Sequence, residues 1–147
     1  MADTSSGRAG PEGPPAAVLA RFAAERVARL ATISADGPRL VPVTFAWHRE
    51  TAVWAVDRVK PKRPGPLRRE RDLAADPRVA MLADHYAEDW TALWWVELRG
   101  EAAVLEGAAA EAALDALAER YAPYRSHRPP GPVVAVTPRR WAWWSAT

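Results

Sequence analysis

Lys60 and Lys62 are the only lysines in the chain, and they stand two residues apart in the stretch DRVKPKRPGP (57–66), which also carries Arg58 and Arg63. Arg68, Arg69 and Arg71 follow, interleaved with Glu70 and Asp72. A phosphate carries roughly −1.5 to −2 charges at neutral pH and accepts hydrogen bonds from lysine as a point charge or from arginine as a fork. A strand end followed by a helix start, lined by such groups, is suited to holding an anion. The same residues would equally make a solvated charged loop.

The tryptophans are a second resource. Eight occur, at 47, 54, 90, 94, 95, 141, 143 and 144. On a strand, alternation sends Trp94 and Trp95 to opposite faces, so one ring points away from the local core. Core packing and a dimer interface account for most such rings; a planar heterocycle stacking on one or two of them is the sharper reading. The segment 84–89 (DHYAED) sets His85 and Tyr86 among carboxylates, a setting for acid catalysis or metal binding but more commonly a plain acidic loop. His48 and His127 have no metal-ligand spacing, and we expect no metal. Neither a nucleophile elbow, a glycine-rich phosphate loop nor a dinucleotide fingerprint is present.

These residues need elements to position them. Residues 1–13 are small, polar and aperiodic, and read as a disordered tail ahead of one domain at 14–147. Val18, Leu19, Phe22, Ala23, Arg26 and Val27 follow a helical period after Pro14 and Pro15. Residues 28–34 alternate as a strand, Asp36-Gly37 signals a hairpin, 40–47 reads as the return strand with Pro42 at an edge or bulge, and 51–56 continues the meander. The basic loop leads into a helix at 67–75, stopped before Pro77. A strand at 79–83, a long strand pair or bent strand at 91–105 with Gly100 at the bend, a helix at 108–121, a loop at 125–131 and last strands at 133–136 and 141–145 around Thr137-Pro138 complete the pattern. The chain reads as mainly β with flanking helices.

The composition sets limits. At 147 residues with 49% hydrophobic, one domain can bury roughly 70% of the surface its unfolded chain exposes. No cysteine is present, which removes disulfides, thiolate metal sites and cysteine nucleophiles. Redox chemistry would need a borrowed cofactor. A net charge of +2 is small for a dedicated nucleic-acid binder. The apolar runs near 92–96 and 108–118 are too short or too interrupted by acids to span a bilayer, and residues 1–15 lack an apolar signal core. We therefore expect a soluble, cytoplasmic protein that binds neither membrane nor nucleic acid.

The order of elements, with ARLATISADGPRLVPVTFAW, TAVWAV, LRRERDLAADPRVAMLADHY and the terminal TPRRWAWW, resembles the pyridoxamine 5′-phosphate oxidase-like split barrels from about residue 16 to 145. The stretch LADHYAEDWTALWWVELRG looks most like an actinobacterial branch of coenzyme F420-dependent oxidoreductases. The resemblance implies a homodimer of six-stranded antiparallel split β-barrels, with a flavin or deazaflavin in a groove shared between subunits. It implies that Pro42, Val43 and Thr44 wall the ring system, and that Arg58, Lys60 and Lys62, with Arg68 beyond them, hold the cofactor phosphate. It also places Trp94 and Trp95 on the strand crossing under the groove, and Arg139 and Trp141 on the C-terminal strand that reaches the partner's site.

The implied cofactor is coenzyme F420, with FMN as the alternative. A deazaflavin performs two-electron hydride transfer itself, so the chain need only bind, orient and exclude water, and the lack of a catalytic constellation is then expected. The phosphate and acidic tail of coenzyme F420 suit a basic stretch from Arg58 to Arg71. His85 and Tyr86 are the candidate proton donors, and the substrate would be a small organic molecule. Two other classes stay open: a non-catalytic flavin or haem carrier, and a single-strand nucleic-acid module built from basic and aromatic residues on a small barrel.

Overall fold

Alternation shapes the first hairpin. In β2 (Ala28–Ser34), Ala28, Leu30 and Thr32 are buried while Arg29 and Ile33 are exposed, the two-residue period of a half-buried strand. The chain turns through Ala35 and Asp36 into β3 (Gly37–Val43), with Ser34 opposite Gly37. Ser34 Oγ donates to the Gly37 carbonyl at 2.7 Å, and Gly37 has φ +111°, a conformation that favours glycine. The computed structural model describes residues 5–57 and 68–147. Beyond the hairpin it contains β4 (Ala46–His48), β5 (Thr51–Ala55), α2 (Arg68–Ala75), β6 (Arg78–His85), β7 (Trp94–Leu105), α3 (Gly107–Arg120), α4 (Ala122–Ser126) and β8 (Val133–Ser145), with β1 (Ser6–Ala9) and α1 (Ala16–Ala24) leading.

The antiparallel sheet runs β3-β2-β6-β7-β8-β5-β4, with β1 also paired to β8, which makes eight strands. Six strands were implied, and two departures from expectation add to the count. The return strand expected at 40–47 is split: β3 ends at Val43 and β4 begins at Ala46. Those two strands occupy opposite ends of the hydrogen-bonded path, yet three residue steps span at most about 11 Å. The sheet must therefore curl until its ends nearly meet, a barrel split at this seam, and β5 does not continue a meander from β3.

Side chains from α3 and α4 replace the missing ladder at the seam. Tyr121 Oη accepts from the Phe45 N–H at 3.1 Å, and its own proton is shared between the carbonyls of Phe45 at 2.7 Å and Arg26 at 2.8 Å. Arg120 donates to the carbonyls of Phe45 and Glu25. Backbone groups inside a protein need such partners, while the Phe45 ring is fully buried against Phe22 at 5.1 Å.

The second departure is at the N-terminus, where Ser6–Ala9 is a strand and not part of a disordered tail. The outer edge of β8 is covered by β5 only over Val133–Val136, and Ser6–Ala9 pairs with Trp141–Trp144 farther along. Backbone pairing needs no hydrophobic pattern, so the residue types do not announce it. Gly7 lies against the Trp143 ring, where a Cβ would collide.

Strand β8 is continuous from Val133 to Ser145 where two shorter strands were expected, and the 125–131 loop gives its first residues to α4. Between β7 and β8 the register passes from Arg99↔Arg140 to Gly100↔Pro138, which leaves Arg139 as an extra residue in a β-bulge. A proline lacks the N–H a ladder needs and is tolerated at such a bulge. Gly100 makes room for it: a Cβ there would run into the Thr137 carbonyl oxygen.

Two cores follow. The barrel interior holds Leu30, Trp54, Met81, Leu98, Val136 and Trp141 and is plugged by Val18 and Phe22 of α1. A second cluster packs Ala113, Leu114 and Leu117 of α3 and Tyr124 of α4 onto Ala46, Val53, Ala55, Val133 and Ala135. The helices thus cover β4, β5 and the first half of β8 from outside. No helix among the described residues is long and apolar enough to cross a membrane.

Two buried carboxylates bracket residues 58–67. Asp57, 7% exposed, accepts from Tyr124 Oη at 3.0 Å, and Thr44 Oγ1 lies 2.7 Å from the same phenol oxygen. With the Tyr124 proton given to Asp57, Thr44 donates. Asp72, 8% exposed, accepts from Thr32 Oγ1 at 3.3 Å and meets Arg39 Nε at 3.2 Å, which ties α2 to β2 and β3. Burial, then the Asp57 charge, pushes the Tyr124 phenol up to about 12 from 10.0, against the opposing hydrogen bond from Thr44.

Gly100→Ala should cost roughly 2–3 kcal/mol in urea unfolding, the usual scale of overpacking, because the bulge cannot admit a Cβ. Tyr124 has its pKa raised on folding, so its contribution is complete below pH 10 and is lost as pH rises to about 12. Alkaline unfolding of the wild type followed by circular dichroism should show that loss, and Tyr124→Phe should start about 1–2 kcal/mol less stable at neutral pH and lose less between those limits.

Candidate functional site

Outside the helix-covered part, the sheet presents an open outer face. Paired residues of antiparallel strands share a face, so the register reads out its rows. One row runs Pro42, Arg29, Leu82, Glu97, Ala142, Arg8, across six strands. The next runs Leu40, Ala31, Ala80, Arg99, Arg140, and the one on the other side Asp84, Trp95, Trp144, Ser6. The middle of the face is apolar and its β7–β8–β1 side is cationic.

Two cavities open on this face. The larger, about 790 Å³, runs between the N-terminal segment and β7–β8, with Arg8, Gly10, Trp95, Glu97, Arg99 and Arg140 among its walls. The smaller, about 470 Å³, lies over Ala31, Ile33, Pro38 and Ala80, with Arg78 and Glu101 at its rim. Arg99, Arg139 and Arg140 border both. The bulge makes this possible. Alternation alone would send consecutive residues 139 and 140 to opposite faces, whereas the extra residue lets both reach the same open surface.

Charge is only partly balanced. Arg99 Nε meets Glu97 at 2.8 Å, Arg139 meets Glu101 at 3.4 Å, Arg78 meets Asp76 at 2.7 Å and Arg29 meets Asp84 at 3.9 Å. Among the described residues, Arg8 and Arg140 have no carboxylate partner, and Arg140 stands directly opposite Arg99. Like charges directly opposite destabilise a sheet unless an anion or a partner offsets them. An aromatic wall at Trp95 beside a guanidinium cluster can hold a flat ring that carries acidic groups.

The structure brings some of the expected residues together and separates others. Trp95 and Arg139 border the larger cavity, and Pro42 lies on the same face. Trp94 faces the other way, its ring 5.3 Å from the Arg21 guanidinium and packed on the barrel core. Trp141 adjoins the larger cavity but is 3% exposed, with its ring edge-on to Phe22 at 5.3 Å and Trp47 at 5.7 Å. Val43 is buried in the core and the Thr44 hydroxyl is engaged by Tyr124. Arg58, Lys60 and Lys62 lie outside the described residues, and Arg68 opens α2. His85 ends β6 opposite Trp94, Tyr86 is 66% exposed, and neither borders the described cavities. Sequence reasoning missed Arg8, Arg99 and Arg140. The TPRRW doublet was a signal for Arg140; Arg8, in a polar tail, had none.

The comparisons with known proteins match this architecture. The family model for pyridoxamine 5′-phosphate oxidase matches residues 14–145. A conserved hypothetical protein of Mycobacterium tuberculosis, Rv2991, superposes with a TM-score of 0.74 at 20% identity, covering 99% of this chain and 90% of that one. A haem-binding protein of Mycobacterium smegmatis gives 0.69 at 27% identity, over 89% of this chain and 54% of that one. An FAD-binding protein of Mesorhizobium loti gives 0.67 at 15% identity, over 95% and 96%. A search of curated protein sequences found no match. With its split barrel and a family match over nearly its whole length, the chain belongs to the pyridoxamine 5′-phosphate oxidase family.

Proposed function

We propose that this chain is a coenzyme F420-dependent oxidoreductase that works as a cytoplasmic homodimer, joined through its open sheet face, and transfers a hydride between the deazaflavin and a small organic substrate. The observation that carries this reading is the groove of about 790 Å³ that sets the Trp95 ring beside Arg99, Arg139 and Arg140. The residues present fit an acidic, planar group: an aromatic surface for the ring, and guanidinium groups in excess of their carboxylate partners. Family membership and the haem-binding and FAD-binding relatives support a cofactor role for the fold.

When bound, a deazaflavin supplies two-electron hydride chemistry. The chain's residues then have three tasks. Arg58, Lys60, Lys62 and Arg68 hold the phosphate, on a segment whose flanks are tied down at Asp57 and Asp72. Trp95 borders the ring, with Pro42 farther along the same sheet face, and the arginines of β7 and β8 neutralise its acidic groups. The barrel and the partner subunit exclude water. The candidate proton donors are His85, the last residue of β6, and Tyr86 beyond it, neither of them on the groove wall.

Titration of the purified, cofactor-free protein with coenzyme F420, FMN and haemin, followed by fluorescence, tests the reading. Coenzyme F420 should bind most tightly, and Lys60→Ala and Lys62→Ala should each weaken it about tenfold, the worth of one charge-assisted contact, with melting temperature unchanged. Preference for FMN would move the chemistry to a flavin, and haemin binding alone would make the protein a carrier. If His85→Ala and Tyr86→Phe both leave the single-turnover rate unchanged, neither donates the proton.

A further inference from the structure

The N-terminal strand is more than an edge cover. It supplies one wall of the larger cavity through Arg8, Ala9, Gly10, Pro11 and Glu12, and it lies ahead of residue 14, where the family match begins. Arg8 pairs across to Ala142, and Arg140 is two residues along β8, so the two are diagonal neighbours about 7–8 Å apart. Arg99 sits directly opposite Arg140 on the far side. Three arginines thus run in a line across β1, β8 and β7 and face one groove.

The acids on these walls are already engaged. Glu12 accepts from the Gly10 N–H at 2.9 Å, and Glu97 pairs with Arg99 at 2.8 Å. Among the described residues, no acid occupies the forks of Arg8 and Arg140. A single carboxylate or phosphate would occupy one fork; two unpaired guanidiniums at this spacing match a ligand end that carries several oxyanion groups.

We propose that Arg8 and Arg140 form a subsite for the multiply charged oxyanion end of a ligand, phosphate or polycarboxylate, and that the N-terminal strand is a ligand-binding element without which the groove is incomplete. This rests on the reading above only in sharing its groove.

The test is calorimetric titration of the full-length protein with pyrophosphate and, separately, citrate, at fixed ionic strength, for the wild type, Arg8→Ala, Arg8→Lys, Arg140→Ala and the distant control Arg125→Ala. At least one probe should bind the wild type, and the stronger probe identifies phosphate or carboxylate as the preferred chemistry. Arg8→Ala and Arg140→Ala should each weaken it about tenfold, Arg8→Lys by less because the charge remains without the fork, and Arg125→Ala not at all. Unchanged melting temperatures separate lost binding from a lost strand. Absence of binding by both probes, equal binding by Arg8→Ala, or an equal loss in Arg125→Ala would overturn the subsite. The same variants titrated with coenzyme F420 keep the two readings apart. Arg8-dependent binding of pyrophosphate or citrate with no affinity for coenzyme F420 upholds the subsite and sinks the cofactor assignment, while equal coenzyme F420 affinity in wild type and Arg8→Ala, with no probe binding, does the reverse.

Discussion

Strand β8 has more backbone to satisfy than any single neighbour on its outer edge can cover, and the rest of the molecule is arranged around that demand. Its inner edge pairs with β7 along its length; its other edge is divided between β5 and β1. An uncovered edge would leave main-chain donors and acceptors open to pairing with another chain. The division also sorts the outer surface. Where β5 lies alongside, α3 and α4 pack on the sheet and build a second core; where β1 lies alongside, the sheet face stays open and carries the larger cavity.

The bulge at Arg139 links this arrangement to the chemistry. Its backbone cause is local: Pro138 cannot donate to the ladder, and Gly100 opposite leaves space for the displaced strand. Its consequence is a concentration of positive charge that a regular ladder would have spread over two faces. Bulges recur beside functional sites because they re-aim side chains in this way. A strand under that charge strain is stable when the net cost is small beside core burial, and here Leu98, Val136 and Trp141 bury fully or nearly so on the inner side of the same strands.

The seam shows a comparable trade. The barrel is split where Thr44 and Phe45 leave the ladder, and the polar groups freed there are taken up by Arg120 and Tyr121. Tyr124, one turn on, reaches Asp57 at the start of the basic stretch. One short helical segment thus closes the barrel and fixes the chain where the basic residues begin. A fold of this kind serves several cofactors among its relatives, because the scaffold supplies a groove and leaves recognition to a few side chains on its walls.

Much of this was legible in the residues. The alternation of β2, a hairpin signalled by Asp36-Gly37 whose turn falls one residue earlier at Ala35-Asp36, the helical periods of α1 and α3, an irregularity at Gly100 and the opposite facing of Trp94 and Trp95 are local matters, decided by steric preference and a two- or three-and-a-half-residue repeat. The tryptophan content announced aromatic surface, whereas the groove arginines Arg8, Arg99 and Arg140 were not singled out by residue type. Three features were decided elsewhere. The strand at 6–9 forms because β8 offers an unpaired edge, and backbone pairing leaves no mark on residue type. The break at Thr44-Phe45 depends on phenol and guanidinium groups some 75 residues away in sequence. The alignment of Arg8, Arg140 and Arg99 exists only once three strands are in register and one of them has bulged. The sequence by itself determined most of the strands and helices and which side chains are available for binding; the tertiary structure decided the strand at 6–9, the break at Thr44-Phe45 and which side chains share a face, because these follow from pairing between distant segments, which no local pattern encodes.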